Sequence, residues 1–574
     1  MKFNLQLVRR LGLTTLCIGA AVTVVLGIEE VTAPRIDAAT VADEIRTEAV
    51  RASNDPDGRP LPLVSSWTCG HYKADFMAGW RPDNQMRLIR EGHHLLPWFN
   101  HPTGVVPEDP DDFQIRYYKD AIAKARELRL PLTFIASQWE SGLSRPPYID
   151  LPPMENPNVV TIEGEIQKRV SPFGPVESWS QIGAAFTDNP WMKQIQEWYP
   201  DPPLVIFLSN NEHSKLHWSE VEISQRYLDT FGPDRPPAFK REVVAERWIE
   251  RYRALQQGMR DALKKNAWRE HAVFVGYSVG DLAHFGRWGG WMHHSLYRPG
   301  RLNPLTDAWD GGSSSYYTHD WNSSTDYKVW SPQVEFMNNT LVKREAQLAN
   351  PRFWYEISIW DGYHNNTERE KNYPSVRGVY RRAGQVYNPE RYGGFVQFGM
   401  WLMRPRAVRD YRGWTEPWNE RIDENGTMLT EGGRPYFMAI VEAVDRVHNN
   451  FTLREWWRHG ERVVNPARLH PYQSHIPQEY RDEDRWFLLE CDANSGPEAL
   501  LKLETEISVF SLALVQGTVP ERRWLLYAYS PLGDRHGVLV TIPGYQAVVI
   551  TSTVGGSFYT VDEKTGAVTS VDGF

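Results

Sequence analysis

The sequence predicts an α/β protein, namely a (β/α)8 TIM barrel followed by a C-terminal antiparallel β-sandwich. Eight short β-type runs lie between positions 61 and 410, and helical stretches separate most of them. After about position 482, β-type runs follow one another without helices, which is typical of a sandwich. An open, doubly wound sheet is the alternative for the first part, but no glycine-rich phosphate turn follows a strand.

Eight barrel strands are predicted, and the runs at 204–212 and 352–362 have the length and composition of strands buried on both faces. The eight strands are 63–67, 94–100, 131–139, 204–210, 272–279, 313–318, 353–359 and 394–400.

Helices are predicted where apolar residues recur at helical spacing. Segment 112–128 starts after Asp-Pro-Asp, a signal of a helix N-terminus. The other predicted helices are 191–198, 241–266, 332–349 and 436–451, the last packing back on the barrel. Long loops follow the third strand (140–175, with a hairpin at 159–170) and the fifth strand (280–312). In this fold, loops at the carboxyl ends of the strands build the active site.

The C-terminal sandwich is predicted from six runs separated by glycine turns, at 486–490, 507–515, 523–529, 537–542, 545–552 and 557–562. The predicted organisation is therefore a leader at 1–33, a linker at 34–60, the barrel with insertions at 61–480 and the sandwich at 481–574.

The N-terminus is predicted to direct export to the periplasm or the cell exterior. Lys2, Arg9 and Arg10 precede the apolar stretch 11–27, which matches a signal peptide. Small-residue cleavage candidates lie at 31–33 and 36–38. An uncleaved membrane anchor is the alternative, because this stretch nearly spans a bilayer. No other stretch is apolar enough to cross a membrane.

The composition fits a globular protein with a sugar partner. The 574 residues include 24 Trp, whose rings stack well on sugars, although a large barrel also buries many Trp. A net charge of −9 is modest and argues against a nucleic-acid partner. Cys17 lies in the leader, so Cys69 and Cys491 form one disulfide or remain buried thiols.

Two glutamates carry the predicted chemistry. Glu212 closes the apolar run 204–212, and Glu356 lies in the apolar run 352–362. A carboxylate on such a strand needs a polar cleft. Two of them about 5 Å apart are what retaining glycoside hydrolysis requires. Structural glutamates that cap loops are the alternative.

The sequence resembles the clan A glycoside hydrolases over roughly residues 61–410. In that clan an Asn-Glu pair ends strand four and supplies the acid/base, and a glutamate on strand seven is the nucleophile. The matching residues are Asn211-Glu212 and Glu356. The resemblance implies a barrel and a retaining mechanism. Glu212 would be protonated at rest, because burial and Glu356 would raise its pKa, and Asn211 would donate to the hydroxyl beside the anomeric carbon. No cofactor is expected, since two carboxylates suffice.

Further candidate substrate contacts follow the other strands. One of Tyr316, Tyr317 and His319 would orient the nucleophile, and the two tyrosines should point to opposite faces. Trp401 would stack on a sugar at the end of strand eight, with core packing as the alternative. Glu140 is a rival catalytic acid without a preceding Asn. The other rim candidates are Trp98, Asn100, His101, Trp139, Trp360 and Asp361.

Two groups of arginines bear on the sugar. Guanidinium groups match sulfate or carboxylate geometry, so they would suit an anionic galactan of the kind that agarases, porphyranases and carrageenases degrade. Surface salt bridging is the favoured alternative. The groups are Arg404, Arg406, Arg409 and Arg412 after strand eight, and Arg287, Arg298 and Arg301 after strand five.

Two other functions compete with a glycosidase. A metal-dependent hydrolase is disfavoured, because the pairs His93-His94 and His293-His294 would face opposite ways on a strand and no HxH follows strand one. A non-catalytic carbohydrate-binding protein on a barrel scaffold is the second alternative. The intact pair Glu212 and Glu356 argues against it.

Overall fold

A computed structural model of the protein describes residues 63–66, 93, 98–127, 129–136, 139–209, 215–277, 279–282, 298–317, 330–360, 388–410, 434–465, 488–494 and 507–571. The strands up to residue 410 are β1 (Leu63–Ser66), β2 (Trp98–Asn100), β3 (Leu132–Ala136), β4 (Asn158–Val160), β5 (Ile166–Val170), β6 (Val205–Ser209), β7 (Ala272–Tyr277), β8 (Gly311–Tyr317), β9 (Trp354–Trp360) and β10 (Ala407–Asp410). The helices are α1 (Phe113–Glu127), α2 (Val176–Thr187), α3 (Pro190–Trp198), α4 (Gln225–Phe231), α5 (Pro237–Ala262), α6 (Asn266–His271), α7 (Ser331–Ala349), α8 (Pro389–Met403), α9 (Arg434–Asn449) and α10 (Phe451–His459).

Eight of these strands form one parallel sheet in the order β1-β10-β9-β8-β7-β6-β3-β2. From β2 to β10, leaving out the hairpin β4–β5, strands that follow one another along the chain are neighbours in the sheet, and β10 also pairs with β1. All seven ladders are parallel. A doubly wound sheet would reverse this order at a switch point, and the sheet has no such reversal. The sheet is thus a curled, parallel half-barrel. Among the described pairings, none joins β1 to β2, which is the ladder that would close it.

The two faces of the sheet have separate apolar clusters. Side chains such as Phe134, Phe207 and Phe274 pack with the helices in the large core. Residues of opposite parity form a small cluster on the concave face: Ile135, Leu204, Ile206, Leu208, Val275, Trp354 and Ala407. Strands that are apolar on both faces are expected of a parallel sheet covered by helices.

The prediction of strand eight at 394–400 is wrong. These residues lie in α8, which begins with Pro389 after Asn388, whose side chain accepts from the amides of Glu390 and Arg391. Arg404, at φ 48°, ends the helix in a left-handed conformation. Most residues of α8 are buried, so its sequence lacks a polar face and reads like a strand buried on both sides. The eighth strand is β10.

Other predictions agree with the structure within a few residues. The first seven strands and the predicted helices correspond to observed elements, and 159–170 forms the antiparallel hairpin β4–β5. Helices α2 and α5 pack closely enough that a Cβ on Gly183 would lie 2.0 Å from the carbonyl oxygen of Leu255. Glycine is therefore required at this crossing.

The C-terminal part is built from antiparallel strands, as predicted. They are β11 (Glu461–Arg462), β12 (Glu490–Cys491), β13 (Phe510–Gln516), β14 (Arg523–Tyr529), β15 (Arg535–Thr541), β16 (Ala547–Ser552), β17 (Ser557–Asp562) and β18 (Val568–Ser570). One sheet has the order β11-β13-β14-β17-β18 and the other the order β12-β15-β16. A shared apolar cluster contains residues of both sheets, including Trp524, Leu526, Val540 and Ile550.

Helix α8 joins the β-rich part to the parallel sheet. Trp401 and Phe398 contact Phe558 and Phe510 at ring-centroid distances of 5.4 and 5.3 Å. The hydroxyl of Tyr527 donates to the carbonyl oxygen of Gly394 at 2.6 Å. The apolar character of α8 is thus explained by contacts on both sides.

Cys491 and the described helices bear on the predictions about cysteines and membrane spans. Cys491 is a free, buried thiol in the core of the β-rich part, and burial raises its pKa to about 11. Cys69 lies outside the described residues, as do the predicted leader and linker. Among the helices that the structure describes, none has the length and apolar character that crossing a bilayer needs.

Candidate functional site

The concave face of the sheet changes from apolar to polar toward the carboxyl ends of the strands. On β9, Trp354 is followed on the same face by Glu356 and then Ser358, because alternate strand residues share a face. On β10, Ala407 belongs to the apolar cluster and Arg409 follows it by two residues. Active sites of parallel barrels lie at this carboxyl end.

Glu356 forms a buried ion pair with Arg409. Its Oε2 accepts from Nε of Arg409 at 2.7 Å, and its Oε1 accepts from Nη2 at 2.7 Å. Trp354 Nε1 also donates to Oε1 at 2.8 Å. The two charged side chains are 0% and 1% exposed. Burial lowers the pKa of Arg409, and the charge of Glu356 opposes that shift. The bidentate geometry therefore fixes the position of the carboxyl group.

A chain of hydroxyl groups lies on the carboxyl-end side of this ion pair. The hydroxyl of Tyr277 donates to Ser315 Oγ at 3.0 Å and lies 3.3 Å from the hydroxyl of Tyr317. Tyr317 in turn lies 3.4 Å from Ser358 Oγ, and Ser358 is in register with Arg409. All four side chains are buried, so these hydroxyl groups interact with one another inside the protein.

The two tyrosines of β8 point to opposite faces, and this prediction is confirmed. Tyr317 joins the hydroxyl chain on the side of Glu356. Tyr316 stacks on Phe336 of α7 at 3.8 Å and shares a 2.5 Å hydrogen bond with the hydroxyl of Tyr355. Burial raises the pKa of Tyr316. Tyr316 thus belongs to the layer between sheet and helices, away from the ion pair.

His101 lies within an aromatic cluster. Its ring contacts Phe134, Trp139, Phe186 and Phe207 at centroid distances of 5.5 to 6.2 Å. Its Nε2 donates to the carbonyl oxygen of Phe186 at 2.8 Å, and burial lowers its pKa to about 4. The predicted rim residue is therefore a neutral core histidine.

This histidine should make stability depend on pH. We expect the free energy of unfolding to fall by about 3 kcal/mol between pH 6.5 and 4 because of His101. The unfolded chain binds a proton below about pH 6.5, whereas the folded state excludes it until about pH 4. Urea unfolding across this range should show a steeper loss for the wild type than for His101→Phe. Replacement of the exposed His459 by phenylalanine is the control. If the free energy of unfolding falls equally steeply with pH in the wild type and in His101→Phe, the assignment of His101 as a buried, neutral histidine is contradicted.

Trp139 and Glu140 are also buried rather than at the rim. Trp139 packs between Phe207 and Phe186 and is stacked on Trp309 at 6.5 Å. Glu140 is 0% exposed, and its Oε1 accepts from Tyr252. Both follow a strand that ends at Ala136, so a short 3-10 helix turns their side chains into the helix layer.

Trp401 and Arg404 lie at the opposite end of the parallel sheet. They occupy the last turn of α8 and its C-cap, just before β10 begins. Trp401 is 0% exposed, and its Nε1 donates to Gln397. Arg404 Nη1 donates to the carbonyl oxygen of Gly460. The prediction that Trp401 ends strand eight is wrong, because the strand lies after these residues.

The arginine groups do not form one surface. Arg298 and Arg301 pair with Asp307, and Arg301 also with Glu345. Arg404 and Arg406 precede β10, and Arg409 is engaged by Glu356. For Arg298, Arg301 and Arg409, salt bridging within the protein is thus the observed arrangement. Arg287 and Arg412 lie outside the described residues.

Several predicted residues lie beyond what the structure describes, namely Asn211, Glu212, His319 and Asp361. For Trp98 and Trp360 it describes the backbone, which lies in β2 and β9. Asn100 ends β2 and is half-buried, and its carbonyl oxygen accepts from Tyr118. In the described ranges, no group of three or more His, Cys, Asp or Glu could hold a metal ion.

The sequence analysis did not single out Tyr277 or Lys215. Tyr277 shares its parity with Val273 and Val275, so it could have been assigned to the concave face once β7 was predicted. Lys215 has no local signal, because its partners lie on other elements.

Comparisons with known proteins leave the family open. No protein-family profile matches the sequence, and no curated protein does. The solved structures that match include a crystal structure of AmyP in complex with maltose. That chain is 10% identical, with 94% of this chain and 90% of that chain covered at a TM-score of 0.31. This likeness is too loose to support an argument about function.

Proposed function

We propose that the protein is an exported, retaining β-glycoside hydrolase that acts on a polysaccharide or its oligosaccharides. The observation that supports this proposal best is the carboxyl group of Glu356 on the concave face, where Arg409 holds it and the hydroxyl groups of Tyr277, Tyr317 and Ser358 share the same face. A retaining glycosidase needs one carboxylate that stays ionised as the nucleophile. The proposal assigns this role to Glu356, which Arg409 holds in a buried ion pair.

Chain length supports Glu212 as the partner carboxyl. Glu212 is three residues after Ser209, the last residue of β6, and three residues before Lys215. Three residues span at most about 11 Å, so the chain length allows Glu212 to lie near the carboxyl end of β6, as the proposal requires. Glu356 faces the same interior from β9. The proposal requires the two carboxyl groups to be about 5–5.5 Å apart.

The proposed reaction has two steps. Glu212 donates a proton to the leaving glycosidic oxygen while a carboxylate oxygen of Glu356 bonds to the anomeric carbon and the glycosidic bond breaks. Glu212 then removes a proton from water, which displaces Glu356 and gives a product with the original β configuration. In the first step one oxygen of Glu356 turns from Arg409 to the sugar while the other stays paired. Asn211 and Tyr317 would bind sugar hydroxyls.

The expected result is that the wild type hydrolyses at least one polysaccharide and that Glu212→Gln and Glu356→Gln do not. A panel of neutral and sulfated polysaccharides should be followed by anomeric NMR, with the β-anomer appearing first. Arg298 and Arg301 pair with acidic side chains of the protein. The panel therefore does not assume a sulfated substrate and includes neutral glycans beside sulfated galactans. Activity in either variant would overturn the assigned roles. Tyr316→Phe is the matched control, because Tyr316 faces the helices.

A non-catalytic carbohydrate-binding protein is the second candidate. It is favoured by the complete burial of Glu356, both oxygens of which are engaged by Arg409. In that case no glycan of the panel is hydrolysed, and one of them binds equally well to the wild type and to Glu356→Gln in calorimetry.

A further inference from the structure

A cavity lies between α5, the end of α7 and the segment 306–310, which includes the end of a short 3-10 helix (Pro304–Asp307). Its volume is about 420 Å³, within the range of about 300–1,000 Å³ that is typical of small-molecule sites. All the residues that line it belong to the described part of the chain.

Asp310 places this cavity at the amino ends of three strands. Its Oδ2 accepts from the amide of Phe274 in β7 at 3.1 Å. Its carbonyl oxygen accepts from the amide of Trp354, the first residue of β9, at 2.8 Å, and β8 begins at the next residue, Gly311. The cavity is walled by helices, whereas Glu356 lies on the concave face of the sheet. It is therefore separate from the proposed catalytic site.

Helix α5 presents a polar face to the cavity. Its lining residues Arg253, Gln256, Gln257 and Arg260 have the spacing of one helix face. Arg253 is exposed, and its Nε and Nη2 donate to the carbonyl oxygen of Asp307 at 3.1 and 2.7 Å. This pair of hydrogen bonds fixes the plane of the guanidinium group at the edge of the cavity.

Two buried donors border the cavity. Gln256 is 7% exposed and Trp309 is 2% exposed, and both line it. Among the described residues, none accepts from Gln256 Nε2 or from Trp309 Nε1. Buried donors in folded proteins nearly always have a partner, so two unpartnered donors beside one cavity point to a molecule that accepts hydrogen bonds there.

The charges of the lining indicate a neutral molecule. The charged side chains that line the cavity are Arg253, Arg260, Asp307 and Asp310, so positive and negative formal charges are equal in number. The carboxylates would repel an anion, and the guanidinium groups would repel a cation. Hydroxyl groups donate as well as accept, so a neutral polyhydroxyl molecule suits both kinds of side chain.

We infer that this cavity is a second carbohydrate-binding site, which takes a neutral mono- or disaccharide and holds it away from the catalytic residues. The inference rests on the proposed function only for the source of the sugar, namely the polysaccharide or its products. Binding itself requires no hydrolysis, so it is tested independently of activity.

The test is a titration of the full chain by ligand-observed NMR with glucose, galactose, xylose and cellobiose, and with inorganic phosphate as an anionic probe. The wild type should bind at least one of the sugars. Ala349, an exposed residue at the end of α7, lines the cavity, so Ala349→Trp should fill its mouth and remove this binding with Tm unchanged. Leu348→Trp is the matched control. Leu348 is 74% exposed and lies outside the lining, so this variant should bind as the wild type does.

Gln256→Leu separates a binding role from a structural one. The variant removes a buried donor without a partner, so its Tm should equal or exceed that of the wild type. Loss of one hydrogen bond to the sugar should weaken binding roughly two- to tenfold. A lower Tm with unchanged sugar affinity would mean that Gln256 only supports the fold, and would overturn its part in the site.

The remaining outcomes decide the inference itself. It is overturned if none of the four sugars binds, or if Ala349→Trp and Leu348→Trp bind them equally well, because the sugar would then lie elsewhere. Phosphate binding that Ala349→Trp removes, without sugar binding, overturns the assignment of a neutral ligand. A wild type that hydrolyses no glycan but loses sugar binding in Ala349→Trp would instead contradict the proposed function and support the second site.

Discussion

Arg409→Met is expected to lower the free energy of unfolding by about 3–5 kcal/mol, because it leaves a buried carboxylate without a cation. Both oxygens of Glu356 are held by Arg409, and neither side chain is more than 1% exposed. The remaining donor, Trp354 Nε1, is neutral. Urea unfolding of the variant should show a lower midpoint with the same dependence on urea concentration.

Two further variants separate the charge from the packing. Arg409→Met/Glu356→Gln removes both charges and should regain most of the lost stability. Lys564→Met breaks an exposed ion pair with Glu521 and should leave the unfolding midpoint unchanged. If Arg409→Met is as stable as the wild type, the ion pair is not buried in solution, and Glu356 is accessible to a substrate without rearrangement.

Trp401→Ala is expected to lower the free energy of unfolding by about 3–5 kcal/mol while sugar binding stays unchanged. Trp401 is fully buried and contacts Trp457 and Phe558 at 5.2 and 5.4 Å between ring centroids. Its removal leaves a cavity where α8 meets the β-rich part. Urea unfolding would measure the stability, and calorimetry with the substrate found in the panel would measure the binding.

The exposed Phe451 provides a control for the loss of an aromatic ring. It is 61% exposed, so Phe451→Ala should change the unfolding midpoint little. A Trp401→Ala variant with wild-type stability and weaker sugar binding would instead support the original prediction of a sugar-stacking residue.

The order and approximate bounds of the first seven parallel strands could be predicted from composition alone. Runs of β-branched and aromatic residues between turns identify strands that are buried on both faces, and 204–210 and 353–359 are such runs. The same rule failed at 394–400, because a helix buried on every side has no polar face to reveal its period. β10 was missed since it has only four residues, two of them charged.

Face assignment could be predicted only where a strand had been recognised. The opposite orientations of Tyr316 and Tyr317 follow from the period of two along β8. His101 and Trp139 were placed at the rim because they lie at the ends of predicted strands. The structure turns them into an aromatic cluster that includes Phe186 from α2, which the sequence does not bring near them.

The sequence by itself determined the parallel strand order, the antiparallel C-terminal part and the choice of Glu356 as a notable carboxylate on a strand buried on both faces. These features depend on local composition and on alternation along a strand. Only the tertiary structure decided that Arg409 holds Glu356, that Trp401 belongs to an internal contact, and that Lys215 meets Glu140 and Tyr252. Such pairings join residues that are tens to more than a hundred positions apart, so they depend on how the elements pack and have no local sequence signal.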